Sequence, residues 1–460
     1  MANEDPRARL KRWIKTGQAR LHPLTLPQRE LWETSPVPPG DPANHVCSFF
    51  EIQGPITFEH CQGAVARVVE RQEALRTSFL PGKDRPLQIV RSTGETVLRY
   101  RELTEEEARP ESIEEIMLEG FAKPFHFMRE PLYRLDMLRR GEDDFVLALT
   151  MHHAISDGWT LGAVVEDLCT AYILELQDTG EIDLGKIGEN SGIRQSLPEL
   201  RTSYTEWGAA ERARWTPAAI EEHAAYWKDR LAGSRRLLDA AASGGDKTGR
   251  LEKWVTELPT DLSTAVRSLA RSTGTTLFNT LLAAFQLALH RWTGVDDVIV
   301  GTPVANRRDA GVKETVGYFA GVVPLRGYVD PGRAFSDHVK EVQEHTMDAF
   351  AHEIPFAELA SLLGESSSPD RHAIFDTRFA LQNHPIPDIE LPGISTRLRT
   401  RSTGTVRFDL GCELTEDDDK FEVVWLFRPS VVPRGDLEEL DQLYRQVLAK
   451  VCASPDSCSS

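Results

Sequence analysis

The sequence predicts an α/β protein made of two similar halves with a cleft between them. Three features carry that reading. The chain has 460 residues, which suits two domains of about 200 residues each. Short apolar runs of strand length alternate with stretches of helical spacing in both halves. Between them, Thr179 to Pro198 is rich in Gly, Asp, Glu and Ser and has weak periodicity, as a linker does. The expected division is therefore 1–180 and 181–460, with ligands in the cleft.

Residues 1–20 carry several Lys and Arg and read as a loose lead-in or a short helix. Leu24 to Trp32 opens the fold as a helix start with Pro27 in its first turn. Pro36 to Pro42 is a proline-rich turn, and His45 to Ile52 a strand. Thr57 precedes a helix whose apolar stripe is Phe58, Cys61, Val65 and Val68. Leu75 to Phe79 and Leu87 to Val90 alternate like paired strands, and Leu98 to Leu103 reads as another. Ile113 to Phe121 is a helix, Leu132 to Arg139 a strand, and Phe145 to Met151 a buried strand. Leu161, Val164, Val165, Leu168 and Tyr172 then recur at helical spacing.

In the second half, Tyr204, Trp207, Trp215, Tyr226 and Trp227 mark a helical stretch, and Gly244 to Gly249 a loop. Leu251 to Leu258 begins a new strand-and-helix series. One stripe, Leu277, Leu281, Phe285, Ala288, Leu289 and Trp292, ends at Gly294, a glycine placed for a left-handed helix stop. Val298 to Val300 is the next strand, and Asp436 to Val451 a closing helix. The polar tail Ala453 to Ser460 reads as disordered.

Hydrophobic residues make up 40% of the chain, charged residues 27%, and the net charge is −18. That balance, with no Lys/Arg-rich block to offset it, argues against a nucleic-acid partner. No apolar run reaches membrane-spanning length and no signal peptide is evident. The six cysteines lack paired spacing and read as reduced thiols, so a cytoplasmic protein is expected.

The stretch Met151 to Trp159, MHHAISDGW, places two histidines, an aspartate and a glycine between a strand and a helix. Rigid scaffolds often present reactive groups at such turns. His153 suits a base near neutral pH. Asp157 suits fixing the local geometry, or capping the helix. Gly158 lets a ligand approach the backbone where helix N–H groups face a developing oxyanion. A structural histidine fits the pattern as well. A metal site fits less, because adjacent histidines on extended backbone face opposite ways and no CxxC or HExxH accompanies them.

Over about residues 21 to 430, seven stretches follow in order the motifs of one family. Leu26-Pro27-Gln28-Arg29-Glu30-Leu31-Trp32 is similar to the opening motif, which usually has Ala before the Gln. Arg71 to Phe79 (RQEALRTSF) resembles the second, with Gln72 where His is usual. HHAISDG, residues 152–158, is the active-site motif in full, and Ser203 to Trp207 (SYTEW) a degraded fourth. Val300 to Arg326 (VGTPVANRRDAGVKETVGYFAGVVPLR) resembles the fifth, with Ala320-Gly321-Val322 replacing Val-Asn-Thr. His352 to Phe356 (HEIPF) matches the sixth and Arg407 to Leu410 (RFDL) the seventh.

With these seven stretches in order, the chain resembles the condensation domains of nonribosomal peptide synthetases. The resemblance implies two chloramphenicol-acetyltransferase-like lobes in a V shape, with the HHxxxDG motif at their junction. It implies acyl transfer from a carrier-bound thioester to an amine or a hydroxyl. His153 is then the catalytic histidine, and Gly158 supplies an N–H near the intermediate's oxygen. His152 and Asp157 are structural, and Asp157 pairs with Arg307, or with Arg308 as second candidate. No cofactor is expected to be bound. The substrates ride on the phosphopantetheine of a donor peptidyl carrier protein and of an acceptor carrier, unless the acceptor is a free small molecule. No nucleic acid and no membrane are expected.

Heterocyclising relatives carry DxxxxD in place of these histidines, and recruiting relatives have lost them. Plant-type acyl-CoA transferases share HxxxDG but add a DFGWG that this chain lacks. An acyl-CoA-dependent transferase and a non-catalytic carrier-binding module stay open as alternatives. No adenylating or carrier segment is recognisable, so the expectation is a free-standing condensation enzyme or a module fragment. Because carrier proteins are usually acidic, docking on a −18 chain must use a local basic or apolar patch.

Overall fold

A computed structural model describes residues 6–33, 40–80, 86–128, 131–182, 194, 196–238, 252–366, 372–382, 393–401, 408–417 and 419–457. Arg407, Leu251, the expected loop Gly244 to Gly249, residues 36–39 of the expected turn and residues 183–193 and 195 of the expected linker lie outside them.

The strands, in chain order, are β1 (Ala19–Pro23), β2 (His45–Gln53), β3 (Thr77–Leu80), β4 (Leu87–Arg91), β5 (Leu98–Glu102), β6 (Tyr133–Gly141) and β7 (Asp144–His152). They continue with β8 (Glu252–Leu258), β9 (Asp297–Val304), β10 (Gly321–Tyr328), β11 (Thr377–Gln382), β12 (Ser395–Arg401), β13 (Leu410–Asp417) and β14 (Lys420–Phe427). Three sheets result: β1-β4-β3, β12-β2-β7-β6-β5 and β10-β9-β11-β13-β14-β8. The mixed strand-and-helix architecture is the α/β one expected from the alternation of apolar runs.

β7 sits inside the five-stranded sheet because its sequence, DFVLALTMH, is apolar on both faces. Val146 and Ala148 pack with Phe121 and Met117 of the helix Pro110–Ala122. Phe145, Leu149 and Met151, on the alternate positions, join the core that includes the helices Phe58–Arg71 and Gly158–Asp178. The first of these helices is capped by Thr57, whose side chain accepts from the His60 N–H. The six-stranded sheet wraps the helix Leu277–Thr293, where Phe285 meets Phe379, Trp425 and Tyr444. That helix stops at Gly294 with φ 73°, as its position in the stripe implied.

Two features cross between the halves. β12, from the second half of the chain, pairs antiparallel with β2 and completes the first half's sheet. In addition, Val316 and Tyr318 are buried in the core built by residues of the first half. Chain order around 180/181 therefore does not separate the five-stranded sheet from the second half of the chain cleanly.

Of the two readings of the lead-in, the short helix is the one found. Pro6–Lys15 is a helix, and β1 pairs with β4. The expected disordered tail needs correction. Ala453 belongs to the last helix, Arg434–Ala453, and the Pro455 carbonyl accepts from the Ser336 N–H at 2.9 Å. Ser336 Oγ donates to Asp456 Oδ1 at 2.7 Å, so the described part of the tail is tied to the start of the helix Phe335–Ala351. Among the described residues, no helix is long and apolar enough to cross a membrane.

Candidate active site

β7 ends at His152 and leads into one 3-10 turn, His153–Ile155, before the helix Gly158–Asp178. Three bonds hold the turn. His152 Nδ1 accepts from the Ala154 N–H at 3.0 Å, so that nitrogen carries no proton. Ser156 Oγ donates to the His152 carbonyl at 3.0 Å. From the opening motif, Gln28 Nε2 donates to the Ala154 carbonyl at 2.8 Å, while Gln28 Oε1 accepts from the Thr25 N–H at 2.9 Å.

The two histidines face different surroundings. His152 is fully buried, edge-on to Phe127 at 5.0 Å and 5.8 Å from His45, its cross-strand partner on β2. Burial lowers the pKa of His45, opposed by its bond to the Phe121 carbonyl. His153 is half-buried, and its ring centroid lies 4.5 Å from that of Tyr318. Tyr318 comes from the second half, so the two halves meet at His153.

Asp157 caps the helix and, with the same carboxylate, clamps the second half. Its Oδ1 accepts from the Thr160 N–H at 2.8 Å, and its Oδ2 from the Phe319 and Ala320 N–H groups at 2.9 and 3.2 Å. Arg307 Nη2 lies 3.3 Å from Oδ1 and donates to Thr160 Oγ1 at 3.1 Å. Arg307 Nη1 donates to the Val312 and Thr315 carbonyls at 2.7 and 2.8 Å. The guanidinium also lies 3.8 Å from the Phe319 ring centroid. Both side chains are nearly inaccessible, at 2% and 3%.

Burial alone would raise the Asp157 carboxyl. The guanidinium and the Phe319 and Thr160 N–H groups outweigh it, and the net pKa lies below the usual carboxylate value. Burial pulls Arg307 down while Asp157 pulls it back up. A guanidinium stays charged in proteins, so the pair is ionic. Arg308 is 42% exposed and bonds Glu353 Oε2 at 2.6 Å, which removes it as the partner of Asp157.

Local backbone explains how Arg307 enters. Asn306, just beyond β9, has φ 49°, the one positive φ outside glycine among the described residues. Asn tolerates that left-handed turn, and its Nδ2 donates to the Phe319 carbonyl at 3.2 Å. Gly317 is required by close approach: a Cβ there would lie 2.2 Å from the Tyr204 ring. Tyr204 OH, in turn, donates to the Tyr318 carbonyl at 2.7 Å and lies 2.8 Å from Thr25 Oγ1. The fourth motif thus braces the residue that packs on His153.

Gly158 is the first residue of its helix, so its N–H is among those without an intrahelical acceptor. Negative charge is favoured at that end of the helix. Among the described residues, no group of three or more His, Cys, Asp or Glu side chains is placed to hold a metal ion. The sixth and seventh stretches bond within the second half: His352 stacks on Tyr226 at 4.2 Å, and Asp409 Oδ1 accepts from Arg428 Nε at 2.9 Å.

Tyr318, Gln28 and Tyr204 lie in the quoted stretches, yet nothing in their spacing assigned them to the site. Gln72, noted only as a departure from the usual His, joins the halves. Its Oε1 accepts from the Val316 N–H at 2.9 Å, and its Nε2 donates to Asp167 Oδ2 at 2.7 Å and to the Glu314 carbonyl at 2.9 Å. Burial raises the pKa of Asp167, with Gln72 and Arg71 opposing. Gln72→Leu keeps the volume and removes all three bonds. Each buried group left unpaired costs about 1–3 kcal/mol, so the urea midpoint is expected to fall markedly. An unchanged midpoint would mean the halves do not depend on this amide.

The chain matches the family model described as Condensation domain over residues 18–460. It is 27% identical over 440 residues to tyrocidine synthase 2 of Brevibacillus parabrevis, covering 95% of this chain and 12% of that protein. It is 27% identical over 446 residues to phosphinothricin tripeptide synthetase PhsC of Streptomyces viridochromogenes, covering 94% of this chain and 39% of that one. The chain thus spans well under half the length of these relatives. In fold it is similar to the first condensation domain of the calcium-dependent antibiotic synthetase in complex with a substrate analogue, with TM-score 0.78, 23% identity and coverage of 96% and 98%. It is also similar to the X-domain from teicoplanin biosynthesis, with TM-score 0.78, 21% identity and coverage of 94% and 95%. Together with HHAISDG at the meeting of the two halves, the match across nearly the whole length settles the family: this chain belongs to the condensation domains.

Proposed function

We propose that the chain transfers an acyl or aminoacyl group from a carrier-bound thioester to an amine or hydroxyl, as a condensation enzyme of natural-product assembly. The observation that carries this is the half-buried His153, set where the two halves meet and beside a helix N-terminus. His153 takes the proton from the attacking nitrogen or oxygen, or holds that atom in line with the thioester carbonyl. As the new bond to carbon forms, the carbonyl oxygen becomes negative, and the Gly158 N–H faces it. Collapse breaks the C–S bond, and the pantetheine sulfur leaves as a thiol with the proton. His152, Asp157 and Arg307 fix the turn and do not touch the reacting atoms. The donor is a peptidyl carrier protein, and the acceptor is a second carrier's cargo or a free small molecule.

The test is mass spectrometry of a loaded donor carrier with a panel of amine and alcohol acceptors. Loss of the acyl group from the carrier with formation of amide or ester is expected. Use of acyl-CoA with the carrier-bound donor untouched would replace this reading with an acyl-CoA transferase. Carrier binding without transfer to any acceptor would leave a non-catalytic carrier-binding module.

A further inference from the structure

The segment ahead of the opening motif carries a charge opposite to that of the rest of the chain. Residues 6–23 hold six Lys and Arg and no Asp or Glu. With −18 overall, the remaining residues together carry −24. The helix Pro6–Lys15 packs beside β1, which pairs with β4. The helix carries Trp13, with the Arg9 guanidinium 5.0 Å and the Arg91 guanidinium 5.9 Å from its ring centroid. Arg20 points to the opposite side of β1 from Leu21, where its charge acts on Glu206. Lys11 and Lys15, one turn apart on the helix, are exposed, and among the described residues no carboxylate is paired with either. Ile14 and Leu21 stand among them at 41% and 39% exposure.

We propose that this face docks a small acidic protein domain. Resting on the function proposed above, that domain is the carrier bearing the substrate. A purely structural basic face would pair with the chain's own plentiful carboxylates, and among the described residues these two lysines do not. Ile14 and Leu21 supply the apolar contact that a charged rim alone lacks. An extended polyanion, such as nucleic acid or an anionic membrane, would also be pressed against the −24 remainder. A small domain meets the patch alone, because charges beyond about 8 Å are screened at physiological salt.

The face also adjoins the site. His22 of β1 pairs with Gln88 of β4, whose Oε1 accepts from Gln28 Nε2 at 3.3 Å. The same Gln28 nitrogen holds the Ala154 carbonyl, next to His153. A carrier docked here stands against the sheet that braces the catalytic turn.

The test is the double variant Lys11→Glu, Lys15→Glu in the whole protein, with circular dichroism to check its fold. Two readouts are needed. Anisotropy measures binding of a labelled carrier protein of net negative charge, at low and high salt. Turnover is then compared for one acyl group on that carrier and on free pantetheine. In the variant, carrier affinity should fall at least about tenfold at low salt, and the loss should shrink at high salt. Turnover of the free pantetheinyl thioester should not change. Unchanged carrier affinity in the variant would overturn the proposal. So would tighter wild-type binding to a DNA duplex or to phosphatidylserine vesicles than to the carrier. Inactivity toward both thioesters would defeat the proposed function, and the binding measurement would still decide the docking face.

Discussion

His153→Ala is expected to lower acyl transfer by about 10²–10⁴-fold, the range for loss of a positioned acid or base, with little change in melting temperature. The ring is half-buried and packs on Tyr318 at the surface between the halves, so its loss opens no closed cavity. His152→Ala should show the opposite split. That ring is fully buried among Phe125, Phe127 and His45. Removing a large core side chain costs about 3–5 kcal/mol, so stability should fall and turnover per folded molecule should fall less. Orientation of two bound reactants contributes as much as proton transfer or more. A loss in kcat for His153→Ala that stays constant from acid to alkaline pH therefore marks positioning. A loss that varies with pH marks proton transfer. Full activity in well-folded His153→Ala protein would remove this turn as the active site.

Either Asp157→Asn or Arg307→Ala should destabilise the protein by about 3–5 kcal/mol, because each leaves a buried charge without its partner. The two substitutions together should cost less than their sum, since the second removes the group that the first orphaned. Arg307→Lys should behave much like Arg307→Ala. A single ammonium cannot serve the Val312 and Thr315 carbonyls with one arm of a fork and Asp157 with the other.

The pair also predicts an acid limb. Asp157 has its pKa lowered in the folded protein, so the folded state binds its proton less readily than the unfolded chain does. Its contribution is full above the unfolded carboxylate value, about 3.9. It is lost as pH falls below that through the lower folded value. Urea midpoints from neutral pH down to the acid limit should therefore fall more steeply for the wild type than for Asp157→Asn. Parallel curves, or strictly additive losses in the double variant, would mean that the 3.3 Å contact carries no coupling.

Some of this was legible in residue order because it depends on neighbours along the chain. Strand β7 is a run of apolar residues, and the helix after it needs a cap, so Asp157 and Gly158 were placed by local pattern. The different surroundings of His152 and His153 were expected from strand alternation, but they arise because β7 ends at His152 and His153 opens the 3-10 turn. Arg307 as the partner of Asp157 rested on the family resemblance, and only the fold separated it from Arg308. One guanidinium turns inward behind Asn306 at φ 49°, and the next meets Glu353 in solvent.

What tertiary structure alone decided are contacts between residues far apart in the chain. Gln72 joins Asp167 to Val316, Gln28 holds Ala154, and Tyr318 packs on His153. No periodicity encodes such pairs, since each depends on how whole sheets and helices are set against one another. β12 belongs with them: no strand was expected there, and its place beside β2 is a backbone pairing that any extended segment of suitable length can make. Residue order alone set the strand and helix that flank the turn and the residues that stand in it, whereas β10 to β14 of the second half were not read from it. Three-dimensional packing decided which distant side chains hold that turn, because hydrogen bonds and buried charges are satisfied in space and not along the chain.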